Sequence, residues 1–240
     1  MPEQNKQLGS IAEILDVLKA VSNNRYLKNM ARFSINSEGA LGIPVPEIRK
    51  ISGRIGQSKC LALKLWSSGI HEAMILATIV FPPNELTMPV AERMVNKIES
   101  WDICDHFAGN LLSNSPIFLQ AIEEWHSREE EFVQRSAFSI IAQLDVAEFQ
   151  KKDAVQYYLD CIRTSALDER NFVKKAVCWA HRVIGKSSSE NHASAIKLAS
   201  ELGKLESKPA KWIAGATIRE LDSEKVKVRV LRNLENKNES

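Results

Sequence analysis

Two tryptophan-centred segments hold the side chains best suited to chemistry on a charged ligand. In Trp101-Asp102-Ile103-Cys104-Asp105-His106-Phe107, Trp101 and Asp105 stand four residues apart, so on a helix the indole and the carboxylate share one face. In the segment from Phe172 to Arg182 and on to Lys186, Lys175, Trp179, Arg182 and Lys186 follow a 4-3-4 spacing. That spacing lines three cations and an indole along one stripe. Such a stripe is a poor core face and a suitable surface for a polyanion or a cationic ligand.

Other chemistries find little support. The glycines form no phosphate-cradling loop, and no Ser-His-Asp or Cys-His constellation is legible. Cys60, Cys104, Cys161 and Cys178 show neither CxxC pairing nor zinc spacing with the histidines, so no metal and no cofactor is expected. The cysteines read as free buried thiols of a reducing cytosol, and a cytoplasmic location is expected. The polar N-terminus has no secretory apolar region, and no apolar run reaches the length of a membrane span. Lys and Arg total 32 against 30 Asp and Glu, a formal charge of only +2, so affinity for nucleic acid must come from how charge is distributed. Glu123, Glu124, Glu129, Glu130 and Glu131 face one cation, Arg128, whereas cations outnumber anions from Lys174 onward.

The elements that must position these residues are helices. Strand-like alternation is nearly absent, and 44% hydrophobic content is enough for a sizeable core. Helical apolar spacing predicts segments near 10–22, 46–54, 58–68, 71–81, 87–99, 101–112, 116–126, 130–143, 148–164, 171–185, 189–203, 208–220 and 223–234. Breaks such as Pro82-Pro83-Asn84 and Ser113-Asn114-Ser115-Pro116 separate them. Phe132-Val133, Phe172-Val173 and Trp212-Ile213 recur at steps of 40 residues, each followed by small and apolar residues. A two-helix repeat of about 40 residues is the period of HEAT and armadillo solenoids, whose second helices line a concave face. The expectation is an all-α solenoid of HEAT-like repeats, superhelical with a basic concave face and a single domain spanning 1–240.

Four short motifs then resemble a known family. They are Met30-Ala31-Arg32-Phe33 followed by Leu41 to Lys50, Ser100-Trp101-Asp102 through Asp105, Val133-Gln134-Arg135, and Lys175 to Arg182. Their order and spacing are similar to those of the AlkD-like DNA alkylation repair proteins, which are HEAT-like-repeat alkylpurine DNA glycosylases. The resemblance implies hydrolytic excision of N3- or N7-alkylated purines from double-stranded DNA by a monomer. It places Trp101, Asp105 and Trp179 at the lesion and Arg135 and Arg182 on phosphates; by its place on the stripe Lys175 is expected to assist in DNA binding. An alkylated purine is already a cationic leaving group, so a carboxylate that stabilises the sugar cation and places water suffices. The chain departs from the family pattern at Phe33-Ser34-Ile35, where a tyrosine and a nearby basic residue are common, and in having a single tryptophan before Asp102. Some relatives bind unusual DNA structures without excision, so a non-catalytic protein binding damaged or branched DNA is the alternative.

Each residue also has an ordinary structural reading. Asp102 and Asp105 fall in a first helical turn, where anions suit the helix dipole. Trp101 and Trp179 could be packing anchors, or, on a HEAT-repeat scaffold, hot spots for a protein partner, and Trp66, Trp125 and Trp212 are expected in the core. Arg135 and Lys175 occupy equivalent repeat positions, either as a basic column or as solvated charges. Arg219 and the run Lys225, Lys227, Arg229 and Arg232 could extend that surface. Pro44, Pro46 and Arg49 are expected to shape a turn and start a helix, and no role falls to His106 or His181.

Overall fold

The computed structural model describes residues 7–35, 38–228 and 230, and their regular structure is helical throughout. The chain divides into two units, Met1–Leu119 and Gln120–Ser240. The first holds α1 (Ile11–Ala20), α2 (Asn24–Arg32), α3 (Val45–Ser52), α4 (Lys59–Ser67), α5 (His71–Val80), α6 (Met88–Val95) and α7 (Trp101–His106). Helix α8 (Phe118–Trp125) carries the chain into the second unit, followed by α9 (Glu131–Ile141), α10 (Lys152–Ser165), α11 (Asn171–Gly185), α12 (Ser189–Gly203) and α13 (Lys208–Leu221). No helix among the described residues is long and apolar enough to cross a membrane.

In the first unit α5 is the central element. Nearly all its side chains are buried, and it packs against α1, α3, α4 and α7. Its second residue, Glu72, is a buried carboxylate that leaves water for the backbone of the loop before α3. Glu72 Oε2 accepts from the Leu41 amide at 2.8 Å, and Oε1 accepts from Gly42 at 2.6 Å and Ile43 at 3.2 Å. Gly42 is required there. Its φ is +73°, and a Cβ would meet the Asn23 carbonyl oxygen at 2.3 Å. Helix α2 has no counterpart among the predicted segments. Its sequence is short, mostly polar and exposed, with Met30 buried, so its few apolar residues do not stand out as a helical segment.

In the second unit α11 packs on α9 and on α13, with α10 and α12 against it. This is the 40-residue step in three dimensions. Val133, Val173 and Ile213 are each buried, contributing about 2 kcal/mol apiece by leaving water. The preceding aromatics meet at the edge, with Phe132 and Phe172 ring centroids 5.6 Å apart. At Gly185 a Cβ would meet Leu221 Cδ1 at 2.4 Å, so the missing side chain lets α11 and α13 close together. Trp66 and Trp125 are buried as expected, but Trp212 is exposed and not in the core, because its place on α13 faces solvent. Cys104, Cys161 and Cys178 are buried and free, whereas Cys60 is exposed on the polar side of α4. The predicted segment 223–234 is helical at 224–228 and 230, and Arg229 and Arg232 lie outside the described residues.

Candidate nucleic-acid interface

Helix α7 is short because its hydrogen-bonding changes register. It runs straight into a π-helical turn, Phe107–Leu111, and then a 3₁₀ turn, Leu112–Asn114. Turns of this kind cluster at functional sites, because the widened ladder re-aims neighbouring side chains. Here Phe107 is buried against Trp66, centroids 5.3 Å apart, while Asn110 is half-buried. Asn110 Oδ1 accepts from Arg49 Nη2 at 3.3 Å, and its Nδ2 donates to Thr78 Oγ1 at 2.9 Å. Arg49, assigned by sequence only to a turn, is thereby held as an exposed cation beside the α7 segment.

Trp101 and Asp105 lie half-buried one turn apart on α7, as their spacing requires. The indole is fixed, since Trp101 Nε1 donates to the Phe33 carbonyl at 2.9 Å. That carbonyl belongs to the turn closing α2, where the Ile35 amide donates to Met30 and Ser34 adopts a left-handed φ of 56°. The Phe33 ring itself stays 66% exposed. Asp102 has a different task. His71 Nε2, at the start of α5, donates to Asp102 Oδ2 at 2.8 Å, and Ser100 Oγ donates to Oδ1 at 2.5 Å. Burial raises the Asp102 pKa, but the bonds from His71 and Ser100 and the His71 charge outweigh it and hold the carboxyl below its ordinary value. Burial, with Arg49 and His71 nearby, lowers His106 and outweighs Asp102, so that imidazole is neutral at neutral pH. Neighbouring His71 and Glu72 thus brace α7 and the α3 loop from one helix end.

On α11 the predicted stripe exists, but its members differ. Lys175 is exposed and Trp179 half-buried. Arg182 and Lys186 converge on one carboxylate of α13, with Arg182 Nη1 at 2.5 Å from Glu220 Oε2 and Lys186 Nζ at 2.6 Å from Oε1. Burial raises the Glu220 pKa, but the two cations more than offset it and hold it low. Arg135 departs from the expected column of surface cations. It is only 5% exposed, and its Nη1 donates to the Phe172 carbonyl at 2.8 Å, tying α9 to α11. Lys175, at the equivalent position, has no such cover. His181, given no role by the sequence, points inward, with Nε2 donating to the Ala195 carbonyl at 2.9 Å; burial pushes its pKa down to about 4.

A family model described as "DNA alkylation repair enzyme" matches residues 14–210, most of the chain. The chain belongs to this DNA alkylation repair family. Membership places it among DNA repair proteins. The fold is also that of a solved structure described as a new family of proteins related to the HEAT-like repeat DNA glycosylases with affinity for branched DNA structures. The likeness has a TM-score of 0.75 at 19% identity and covers 92% of this chain and 96% of the other. No curated protein matches this chain. At that identity the likeness establishes the HEAT-like all-α fold, in agreement with the sequence expectation. The family match spans both tryptophan-centred segments, α7 and α11.

Sequence reasoning missed three parts of this arrangement: the His71–Asp102 pair, the Arg49–Asn110 bond, and the Glu220 clasp. Each joins residues 31 to 61 positions apart, with no local periodicity to betray it.

Proposed function

We propose that this protein is a DNA glycosylase that excises cationic N3- or N7-alkylated purines from duplex DNA by hydrolysis of the N-glycosidic bond. The observation that carries the reading is the half-buried carboxylate set beside a fixed indole on α7. Asp102 is committed to His71 and Ser100, while Asp105 stands one turn beyond an indole pinned by the Phe33 carbonyl. The alkylated base departs neutral, taking the glycosidic electron pair, and needs no general acid. Asp105 stabilises the positive charge left on the sugar and orients the attacking water. Trp101 packs on the lesion nucleotide and adds cation–π attraction. Lys175 and Arg182 bind backbone phosphates, Trp179 packs on the sugar-phosphate, and Arg135 acts through its hold on α11. Release of 3-methyladenine and 7-methylguanine from methylated duplex by wild type, lost in Asp105→Asn, is the expected outcome. Undiminished release by the variant would remove Asp105 from the mechanism.

One observation favours a second reading. The solved structure with the same fold is described as having affinity for branched DNA, and this chain presents Phe33, without a hydroxyl, beside the Trp101 anchor. A non-catalytic protein that binds damaged or branched DNA would retain salt-sensitive binding and release no base. That result with the wild type would select this reading.

A further inference from the structure

Helix α13 repeats the spacing that marks α11. Lys208, Trp212, Gly215 and Arg219 stand 4-3-4 apart, as do Lys175, Trp179, Arg182 and Lys186. The first stripe is partly occupied, since Glu220 holds Arg182 and Lys186. On α13 all four positions are exposed, Trp212 at 45%. An indole with 45% of its surface in water lies outside the core, so core packing alone does not account for its placement.

The surroundings of Trp212 specify what it suits. Lys174 Nζ, from α11, sits over the ring 5.1 Å from its centroid and places a cation at the aromatic face. One turn along the stripe, a Cβ on Gly215 would meet only Arg219 Nη2, at 4.0 Å. Bare backbone therefore flanks the indole and leaves room for a flat group. The stripe carries two cations and no carboxylate. The nearby Glu206 is paired with Lys211 at 3.2 Å, and Glu220 is taken by α11. Lysines are depleted at the centres of protein–protein interfaces, so a tryptophan ringed by them fits a polyanion better than a protein partner.

We propose that Trp212 is a stacking platform for an unpaired nucleobase, with Lys174, Lys208 and Arg219 holding the flanking phosphates. This rests on the reading that the protein binds DNA, and it adds a site for single-stranded segments beside the duplex. A base within a duplex has both faces covered by its neighbours, so an indole face selects a base that has left the stack. Stacking is tolerant of base identity, because every base offers a π-face, and no sequence preference is expected.

The test is the affinity of the full chain for a blunt duplex and for the same duplex with a short single-stranded thymidine overhang, read by fluorescence anisotropy. Wild type should bind the overhang substrate roughly tenfold more tightly. Trp212→Ala should erase that difference while leaving blunt-duplex affinity unchanged, and Trp212→Phe should keep most of it. Circular dichroism melts should stay close to wild type, as the side chain fills no core position. Equal binding of both DNAs by wild type, or an overhang preference untouched in Trp212→Ala, would overturn the platform while leaving duplex binding intact. An equal loss on both DNAs would make Trp212 a general backbone contact and also overturn it. Failure of wild type to bind either DNA would sink the DNA-binding reading itself.

Discussion

The two tryptophan-centred helices solve opposite electrostatic problems. On α7 the charged neighbours are carboxylates, and the one in the first turn accepts hydrogen bonds from His71 and Ser100. On α11 the neighbours are cations, and two of them are neutralised from outside by Glu220. In both places hydrogen bonds with another segment hold part of the charge on the helix. Half-buried Asp105 on α7 and exposed Lys175 on α11 are of types suited to cationic chemistry in one case and to phosphate binding in the other. Spacing alone does not reveal this, because it counts every charge as equal.

The braces differ in cost, and that difference can be broken experimentally. The largest effect is expected at Glu72. Removing it in Glu72→Ala strands the Leu41, Gly42 and Ile43 amides away from water and should cost about 4 kcal/mol. Urea unfolding measures this, and a loss under about 1 kcal/mol would mean that water reaches the loop.

The second contrast is in pH. Burial lowers the His181 pKa to about 4, so the folded state resists a proton that the unfolded chain takes up below about 6.5. Stability is therefore lost as pH falls from about 6.5 to 4, by about 3 kcal/mol over that interval. Asp102 acts in the same direction but in a more acidic window. Its lowered pKa contributes stability above 3.8 that disappears only as pH falls through the lower folded value. Amide exchange at pH 7 and pH 5 should show α11 and α13 losing protection first, and His181→Gln should flatten that slope. Protection lost first around α5 and α7 would reverse the comparison.

A smaller effect is expected where the clasp is loosened. Glu220→Gln releases Arg182 and Lys186 for phosphate, so duplex affinity at low salt should rise several-fold with a steeper salt dependence. Unchanged or weaker binding would show that Glu220 orients these cations and does not compete with DNA. Smallest is Lys175→Ala, which should reduce the slope of log affinity against log salt by about one. An identical slope would take Lys175 off the DNA.

Much of the second unit was legible because its signals are local and periodic. The step from Phe132 to Phe172 to Trp212 marks three stacked helices, and Val133, Val173 and Ile213 fill their core. Trp101 with Asp105, and Lys175 with Trp179, follow from helical spacing. What escaped depends on contacts between distant segments. Arg135 and Lys175 look alike in register, yet a carbonyl 37 residues away buries the first. Trp212 reads as core by residue type and lies in solvent. Glu72 sits in an apolar helix with nothing in its neighbourhood to announce three amides some 30 residues earlier.

The comparison between α7 and α11 rests on a separation of chemistry from binding. Single-turnover base release and duplex affinity, measured together for Asp105→Asn and Lys175→Ala, test it most directly. Asp105→Asn should lose release and keep affinity, while Lys175→Ala should weaken affinity and keep the rate at saturating protein. Release that survives in Asp105→Asn, or affinity that falls equally in both variants, would show that the two helices do not divide the work.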